Sequence, residues 1–322
     1  MIAAPLESFA SFDSVRRRIP HSLHRSTNAK QFCLEFDALT GRPVESVADQ
    51  LIAPSAPRAI FLVGSLPLGM GTGISDVDFM VLIDSPSVLL PYESSHGANG
   101  DRHLPLSEDS DALRAGVSIT LDKGLVVDVT LVVAPMITQI YKALRKRGPE
   151  LSDLEIRTLG WLSSGWLLWE SDNYIARRGI RLPDQALDVY CSTRNFSIAL
   201  IFLRKAEKVL ELTDIPLALH LGRSSVEMAY LAYFASEGLS YLGPKWLAQL
   251  GHARGSLDRV SRYPLLKEGI PLMFPSCEST IREAECYLRE VSQFLASMRD
   301  LISRNALFQI AFDTCPQIFS PL

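Results

Sequence analysis

Residues 59–84 read AIFLVGSLPLGMGTGISDVDFMVLID, and the rest of the chain is organised around them. An apolar run from Ala59 to Val63 reads as a strand, a glycine-rich turn opens at Gly64 and Ser65, and a second strand carries Asp76 and Asp78 into the run Phe79 to Ile83. Successive strand side chains point to opposite faces, so Asp76 and Asp78 share a face with Cα atoms roughly 6.6 Å apart, while Val77 and Phe79 point the other way. Two carboxylates at that separation repel by on the order of 2 to 3 kcal/mol at an effective dielectric of about 20. Such a pair is a poor end for a structural strand unless positive charge lies between its members, and a divalent cation would reverse the sign. Upstream, Gly64 and Ser65 supply a tight strand exit, a hydroxyl, and backbone amides able to donate to phosphate oxygens. Magnesium keeps several waters and is typically held by one or two carboxylates together with substrate phosphates, so a phosphate cradle beside a carboxylate pair matches its needs.

The whole chain sets outer bounds. Its 322 residues, 47% of them hydrophobic, can bury a large core and are enough for two domains. A formal net charge of -4, a pI near 5.9 and a mean hydropathy of +0.13 describe a soluble protein and argue against a dedicated nucleic-acid binder, which needs a basic face. Cys33, Cys191, Cys277, Cys286 and Cys315 are odd in number and lack paired metal spacing. That pattern suits reduced thiols and a cytoplasmic location, with no structural zinc. The opening MIAAPLESFASFDS has no basic start and carries Glu7 and Asp13, unlike a signal peptide. The longest apolar stretches, such as Ile198 to Leu203, fall far short of the roughly 20 residues a membrane span needs, so no membrane segment is expected.

Before the core stretch, Asn28 to Leu39 and Val44 to Ile52 have helix-compatible spacing, and the run Arg16 to Arg18 reads as a solvated helix face. Residues 85–115 are rich in Ser, Gly, Asp and His and read as a long loop, with His96 and His103 as solvated loop residues rather than catalytic ones. From Gly116, VSITL and LVVDVTLVV flank Asp122-Lys123-Gly124, a hairpin signal. In the second of these strands Asp128 shares a face with Val126, Thr130 and Val132, an isolated charge among apolar residues that is seldom buried without a partner or a metal. Asp122 competes with it, but an aspartate in a turn needs no special explanation. Beyond Pro135 the spacing predicts helices only, over Met136 to Arg147, Ser152 to Leu168, Leu187 to Leu212, Leu217 to Glu237, Lys245 to Gly251 and Thr280 to Arg304. The basic run Lys142, Arg145, Lys146 and Arg147 reads as an exposed helix end complementing its dipole.

On these residues the chain resembles the polymerase β type nucleotidyltransferase superfamily, whose signature is an apolar strand, Gly-Ser, a spacer with an internal glycine, and Asp-x-Asp flanked by apolar residues. The matching positions are Gly64, Ser65, Gly69, Ser75, Asp76 and Asp78, with ten residues between Ser65 and Asp76. Pro67, Gly69, Gly71 and Gly73 make the spacer poorer in helix propensity than is usual, so the helix after Gly-Ser is expected to make only a turn or two. A weaker similarity, to kanamycin-type nucleotidyltransferases whose catalytic domain precedes a helical bundle holding the acceptor, covers residues 222–250. There Arg223 opens a long helix and Pro244, Lys245 and Trp246 follow it.

The resemblance implies an α+β protein. Residues 1–57 form an N-terminal helical extension, 58–135 a small mixed-sheet catalytic core, and 136–322 an all-helical domain closing the cleft for acceptor and nucleotide. It implies that Asp76 and Asp78 bind two ions, Mg2+ or Mn2+, and that Asp128 is the third carboxylate, holding the ion that activates the acceptor. Gly64 and Ser65 would cradle the terminal phosphates, with Ser75 among the nucleotide-binding residues. Lys245 has two readings, a neutraliser of triphosphate charge or a solvated lysine beside a buried Trp246. Asp128 or a nearby glutamate would accept the acceptor's proton. Glu227 and Glu237 are candidates by neighbourhood, although Glu227 lies four residues after Arg223 and reads first as its helix ion-pair partner.

The implied activity is transfer of a nucleoside monophosphate, AMP from ATP, onto a hydroxyl of a small-molecule acceptor with release of pyrophosphate. Three rivals use the same motif. A cyclic-oligonucleotide synthase would need nucleotides alone, and a protein- or RNA-modifying transferase would need a macromolecular acceptor. A catalytically silent nucleotide-binding regulator would not need the full set of carboxylates.

Overall fold

Val77, Phe79, Val81 and Ile83 on one face, with Met80 and Leu82 on the other, make a strand that is apolar on both sides, and such a strand belongs inside a sheet. The computed structural model describes residues 27–50, 57–68, 76–85, 114–121, 125–145, 151–180, 185–240, 269–276 and 280–304. The elements are α1 (Ala29–Thr40), a 3-10 turn over Val44–Gln50, β1 (Ala59–Val63), β2 (Val77–Ile83), β3 (Arg114–Thr120) and β4 (Val126–Val133). They continue with α2 (Ala134–Arg145), α3 (Asp153–Ser164), β5 (Trp166–Glu170), α4 (Tyr174–Arg177), α5 (Gln185–Glu211), α6 (Ile215–Ser236) and α7 (Ile281–Ser303). The fold is α+β, built on a five-stranded sheet of order β3-β4-β2-β1-β5. Only β2 and β4 run parallel; the other three pairs are antiparallel, so the sheet is mixed. No described helix is long and apolar enough to cross a membrane.

Two compact units divide the chain, one formed by residues 1–138 with 164–181, the other by 139–163 with 182–322. In the first, α1 supplies the layer over one face of the sheet. Asn28 caps its start by accepting from the Gln31 amide at 2.9 Å, and Gly41 ends it at φ +71°, where its amide reaches Asp37 O. Spacing of i, i+4 turns Phe32 and Phe36 to the same side. Both rings meet Phe79 of β2, with centroids 6.2 and 5.5 Å away. The core on this face joins them to Val44, Val47, Ile60, Leu62, Val77, Val81, Val127, Val129 and Leu131. Deleting a ring from a core of this kind typically costs about 3 to 5 kcal/mol.

In the second unit every described element is helical. Asp214 caps α6, and Thr280 with Glu283 forms a capping box at α7. Ala229 to Ala235 are all buried, which makes α6 the centre of this unit rather than a surface helix. Ser225 Oγ ties α6 to α5 through Ala199 O at 2.7 Å. At Gly222 α6 approaches α7 so closely that an added Cβ would lie 2.7 Å from Tyr287 Cε1. The part of residues 222–250 that lies in α6 is therefore largely core, and two of its charged residues, Arg223 and Glu227, pair with each other at 2.9 Å.

The expectation that everything after Pro135 is helical is corrected by β5. The helix expected over Ser152 to Leu168 ends at Ser164, and Trp166–Glu170 pairs antiparallel with β1. Ser163-Ser164-Gly165 is the local breaker, and Trp-Leu-Leu-Trp suits a half-buried strand whose hydrogen-bonding partner is distant in sequence. A bulge between Ile60 and Phe61 marks the pairing, and the Cys33 thiol reaches Leu168 O at 3.9 Å.

Asp84, just past β2, clamps the returning segment. Its carboxylate accepts from Arg58 Nε at 2.7 Å, Tyr174 Oη at 2.5 Å and Arg178 at 3.1 Å. Both guanidinium groups also lie about over the Tyr174 ring, 6.0 and 5.8 Å from its centroid. Burial pushes the Asp84 carboxyl up, but the donated bonds from Tyr174 and Arg58 and the charges of Arg58 and Arg178 outweigh it and hold the group below the usual carboxylate range. The Tyr174 hydroxyl is pushed up to about 12 by burial and by Asp84.

A carboxylate lowered on folding contributes stability above its unfolded pKa, about 3.9 for aspartate, and that contribution is lost as pH falls through the lower folded value. Asp84→Asn is therefore expected to be less stable than wild type at pH 7, with the gap closing below about pH 4. Urea denaturation of both proteins across pH 2.5 to 7 checks it, and a constant gap would mean that the charge of Asp84 is not what clamps the segment.

Candidate functional site

The face of the sheet opposite α1 carries Phe61, Val63, Met80, Leu82 and Val132, all buried. At one end that face turns polar. Asp78 is the second residue of β2 and Asp128 the third of β4, and the parallel register pairs them directly, Asp78 with Asp128 between Val77–Val127 and Phe79–Val129. Adjacent strands lie about 4.8 Å apart, so two carboxylates sharing a face at one level are near neighbours. Both are half-buried.

Two neighbours shape the pair. The β1–β2 register places Val63 opposite Asp78, and the next residue, Gly64, turns the chain at φ +78°. A Cβ built on Gly64 would overlap Asp78 Oδ2 and lie 3.0 Å from the carboxyl carbon, so the carboxylate occupies the space a side chain would take. Glycine is required here twice, for the left-handed backbone and for the close approach. On the far side, β3 pairs with β4 so that Ser118 faces Asp128, and the Ser118 hydroxyl donates to Asp128 Oδ1. Ser65 is buried directly after Gly64.

Of the residues expected at the site, Gly64, Ser65, Asp78 and Asp128 are gathered at this end of the sheet. Asp76 is exposed, one residue before β2 begins. Among the described residues no group of three or more His, Cys, Asp or Glu side chains stands ready to hold a metal ion, so Asp76 is not drawn into a three-carboxylate cluster. The donor set still fits magnesium or manganese: hard carboxylate oxygens from two adjacent strands match an ion held by one or two carboxylates and substrate phosphates. Glu227 is engaged by Arg223, and Glu237 lies exposed beyond the end of α6. Ser75, Lys245 and Trp246 lie outside the described residues, as do the spacer glycines 69, 71 and 73, Asp122, His96, His103, Lys146, Arg147 and Arg16 to Arg18.

Ser118 was legible and not read. Pairing the hairpin symmetrically about Lys123 sets 118 opposite 128, and of the two hydroxyl residues in VSITL, Ser118 and Thr120, only Ser118 then falls directly opposite the aspartate. The pairing of β2 with β4 had no such local signal.

No protein-family model matches the chain. No curated protein matches it either. Among solved structures the chain is similar to the crystal structure of a nucleotidyltransferase-like protein from Exiguobacterium sibiricum, with 16% identity over 83% of this chain and 77% of that chain, at a TM-score of 0.43.

Because Gly64 serves both the turn and the approach of Asp78, Gly64→Ala is expected to lower unfolding stability by roughly 1 to 3 kcal/mol, the usual cost of strained backbone or overpacking. Gly41→Ala is the control: it too has positive φ, +71°, but nothing lies within 4 Å of its added Cβ. Chemical denaturation of both variants checks this, and equal losses would show that Asp78 yields freely to a side chain at position 64.

Proposed function

We infer that this protein is a metal-dependent nucleotidyltransferase, moving a nucleoside monophosphate, AMP from ATP, onto a hydroxyl of a small-molecule acceptor with release of pyrophosphate. The observation that carries the reading is the register pairing of Asp78 with Asp128 beside the Gly64 turn. Two like charges built side by side into a sheet are costly unless a cation joins them, and backbone amides of a turn next to them are groups from which a phosphate can accept. Asp78 and Asp128 would hold Mg2+ or Mn2+, with Asp76 completing the set once phosphate oxygens are present. Divalent ions held there would supply charge stabilisation for the attacking and leaving oxygens of an in-line displacement.

The remaining work falls to the chain's own groups. Amides of the Gly64–Ser65 turn and the Ser65 hydroxyl would orient the terminal phosphates, so that pyrophosphate departs opposite the incoming hydroxyl. Ser75 and Lys245 are assigned to the triphosphate on the motif alone. The helical residues after 139 are assigned to acceptor binding by the kanamycin-type resemblance, and Arg223 and Glu227, paired as they are, are not assigned to catalysis.

The experiment is a screen of labelled nucleoside triphosphates with magnesium or manganese, with and without a library of hydroxylated acceptors, scoring transfer and pyrophosphate. Turnover is expected to require the divalent ion. Asp78→Ala is expected to lose at least about two powers of ten in rate, roughly 2.7 kcal/mol of transition-state stabilisation. Asp128→Asn, which keeps size and removes charge, is expected to bind triphosphate while turning over slowly. Undiminished activity in chelator, or equal turnover by wild type and Asp128→Asn, would sink the reading.

A further inference from the structure

Ser118 stands outside the motif that suggested the function, yet its side chain is the described hydrogen-bond donor to Asp128. Its place is set by backbone alone: the β3–β4 ladder runs unbroken from Arg114–Val132 to Thr120–Val126, and Ser118 falls directly opposite Asp128 within it. Only the hydroxyl's rotation about χ1 remains to be chosen, and that rotation is spent on Oδ1.

We propose that Ser118 is a positioning residue for Asp128: by engaging Oδ1 it fixes the carboxylate plane, so that Oδ2 is the oxygen presented to a divalent ion. The proposal rests on the metal-dependent reading above. A carboxylate on a strand has a broad, nearly two-fold torsion at its end, and without a partner it presents either oxygen in many orientations. A neutral hydroxyl removes that freedom and leaves the full negative charge for the ion, which a lysine or arginine at the same place would not. Replacing an outer partner that orients a metal ligand typically costs about 10- to 100-fold in metal affinity or activity. A serine that merely satisfied a half-buried carboxylate would leave ion affinity unchanged when replaced.

The test titrates the full chain with Mn2+, both alone and beside a non-hydrolysable triphosphate, free ion being read by electron paramagnetic resonance, with folding followed by circular dichroism. Ser118→Ala is expected to weaken Mn2+ binding by about tenfold, the lower end of what losing such an outer partner costs. Ser118→Thr keeps the hydroxyl on a strand-favouring residue and is expected to restore binding to within about twofold of wild type. Ser118→Ala that binds Mn2+ like wild type, while Asp128→Asn has lost it, would overturn the proposal and leave the metal reading standing. Absence of Mn2+ binding by wild type in both titrations, or equal binding by wild type and Asp128→Asn, would overturn the reading beneath and the proposal with it. Should Ser118→Ala fail to fold, Ser118→Cys, similar in size but a weak donor, is expected to bind more weakly than wild type, and equal affinity would overturn the proposal.

Discussion

The parallel pairing of β2 with β4 sets Asp78 beside Asp128, and the rest of the sheet is what holds two like charges in that position. Carboxylates about 5 Å apart repel by about 3 kcal/mol at an effective dielectric of about 20. Against this stand Val77, Phe79, Val81 and Ile83 of one strand and Val127, Val129 and Leu131 of the other, all buried on the opposite face. Each such side chain contributes roughly 1.5 to 3 kcal/mol when fully buried. Slipping the register by one residue would separate the carboxylates but would also turn the apolar side chains of the slipped strand to the wrong face. The charge pair is therefore imposed by the core and relieved from outside, by a hydroxyl now and by a cation in the proposed working state.

The two ends of β2 show the same residue type under opposite electrostatics. Asp84, past the last strand residue, is met by two guanidinium groups and a phenol, and its charge is spent on holding β1, β2 and α4 together. Asp128, level with the other end, receives a neutral hydroxyl and has another carboxylate as its strand neighbour. A carboxylate met by cations stabilises the fold, whereas one met by a neutral hydroxyl keeps its charge. Asp78 and Asp84 thus stand six residues apart at the two ends of one strand.

The sheet unit is not continuous in sequence. After β4 the chain forms α2 and α3, then returns as β5 to cover the outer side of β1, and α4 follows to reach Asp84. A fragment cut at residue 135 would keep both carboxylate strands but lose the edge strand and two of the three donors to Asp84. Edge strands protect their neighbour's unpaired backbone groups, so the cut would expose β1 along its whole length.

Local pattern was enough for much of this. Alternation in VDFMVLI and VVDVTLVV sets which residues share a face, so the sequence by itself placed Asp78 and Asp128 each on a strand opposite the apolar core. The Gly64 turn and the antiparallel pairing of β3 with β4 were equally legible, because turns and hairpins are decided by residues close in the chain. The described helices of the second half were legible from spacing, although Ala229 to Ala235 of α6 proved to be buried core. What only the tertiary structure decided is non-local: that β2 and β4 lie side by side in the register that brings Asp78 to Asp128, that Trp166–Glu170 is a strand, and that Asp84 is the clamp. These depend on which distant segments find each other. A strand's own sequence specifies its two faces, but its neighbours are chosen by the core that the whole chain can bury.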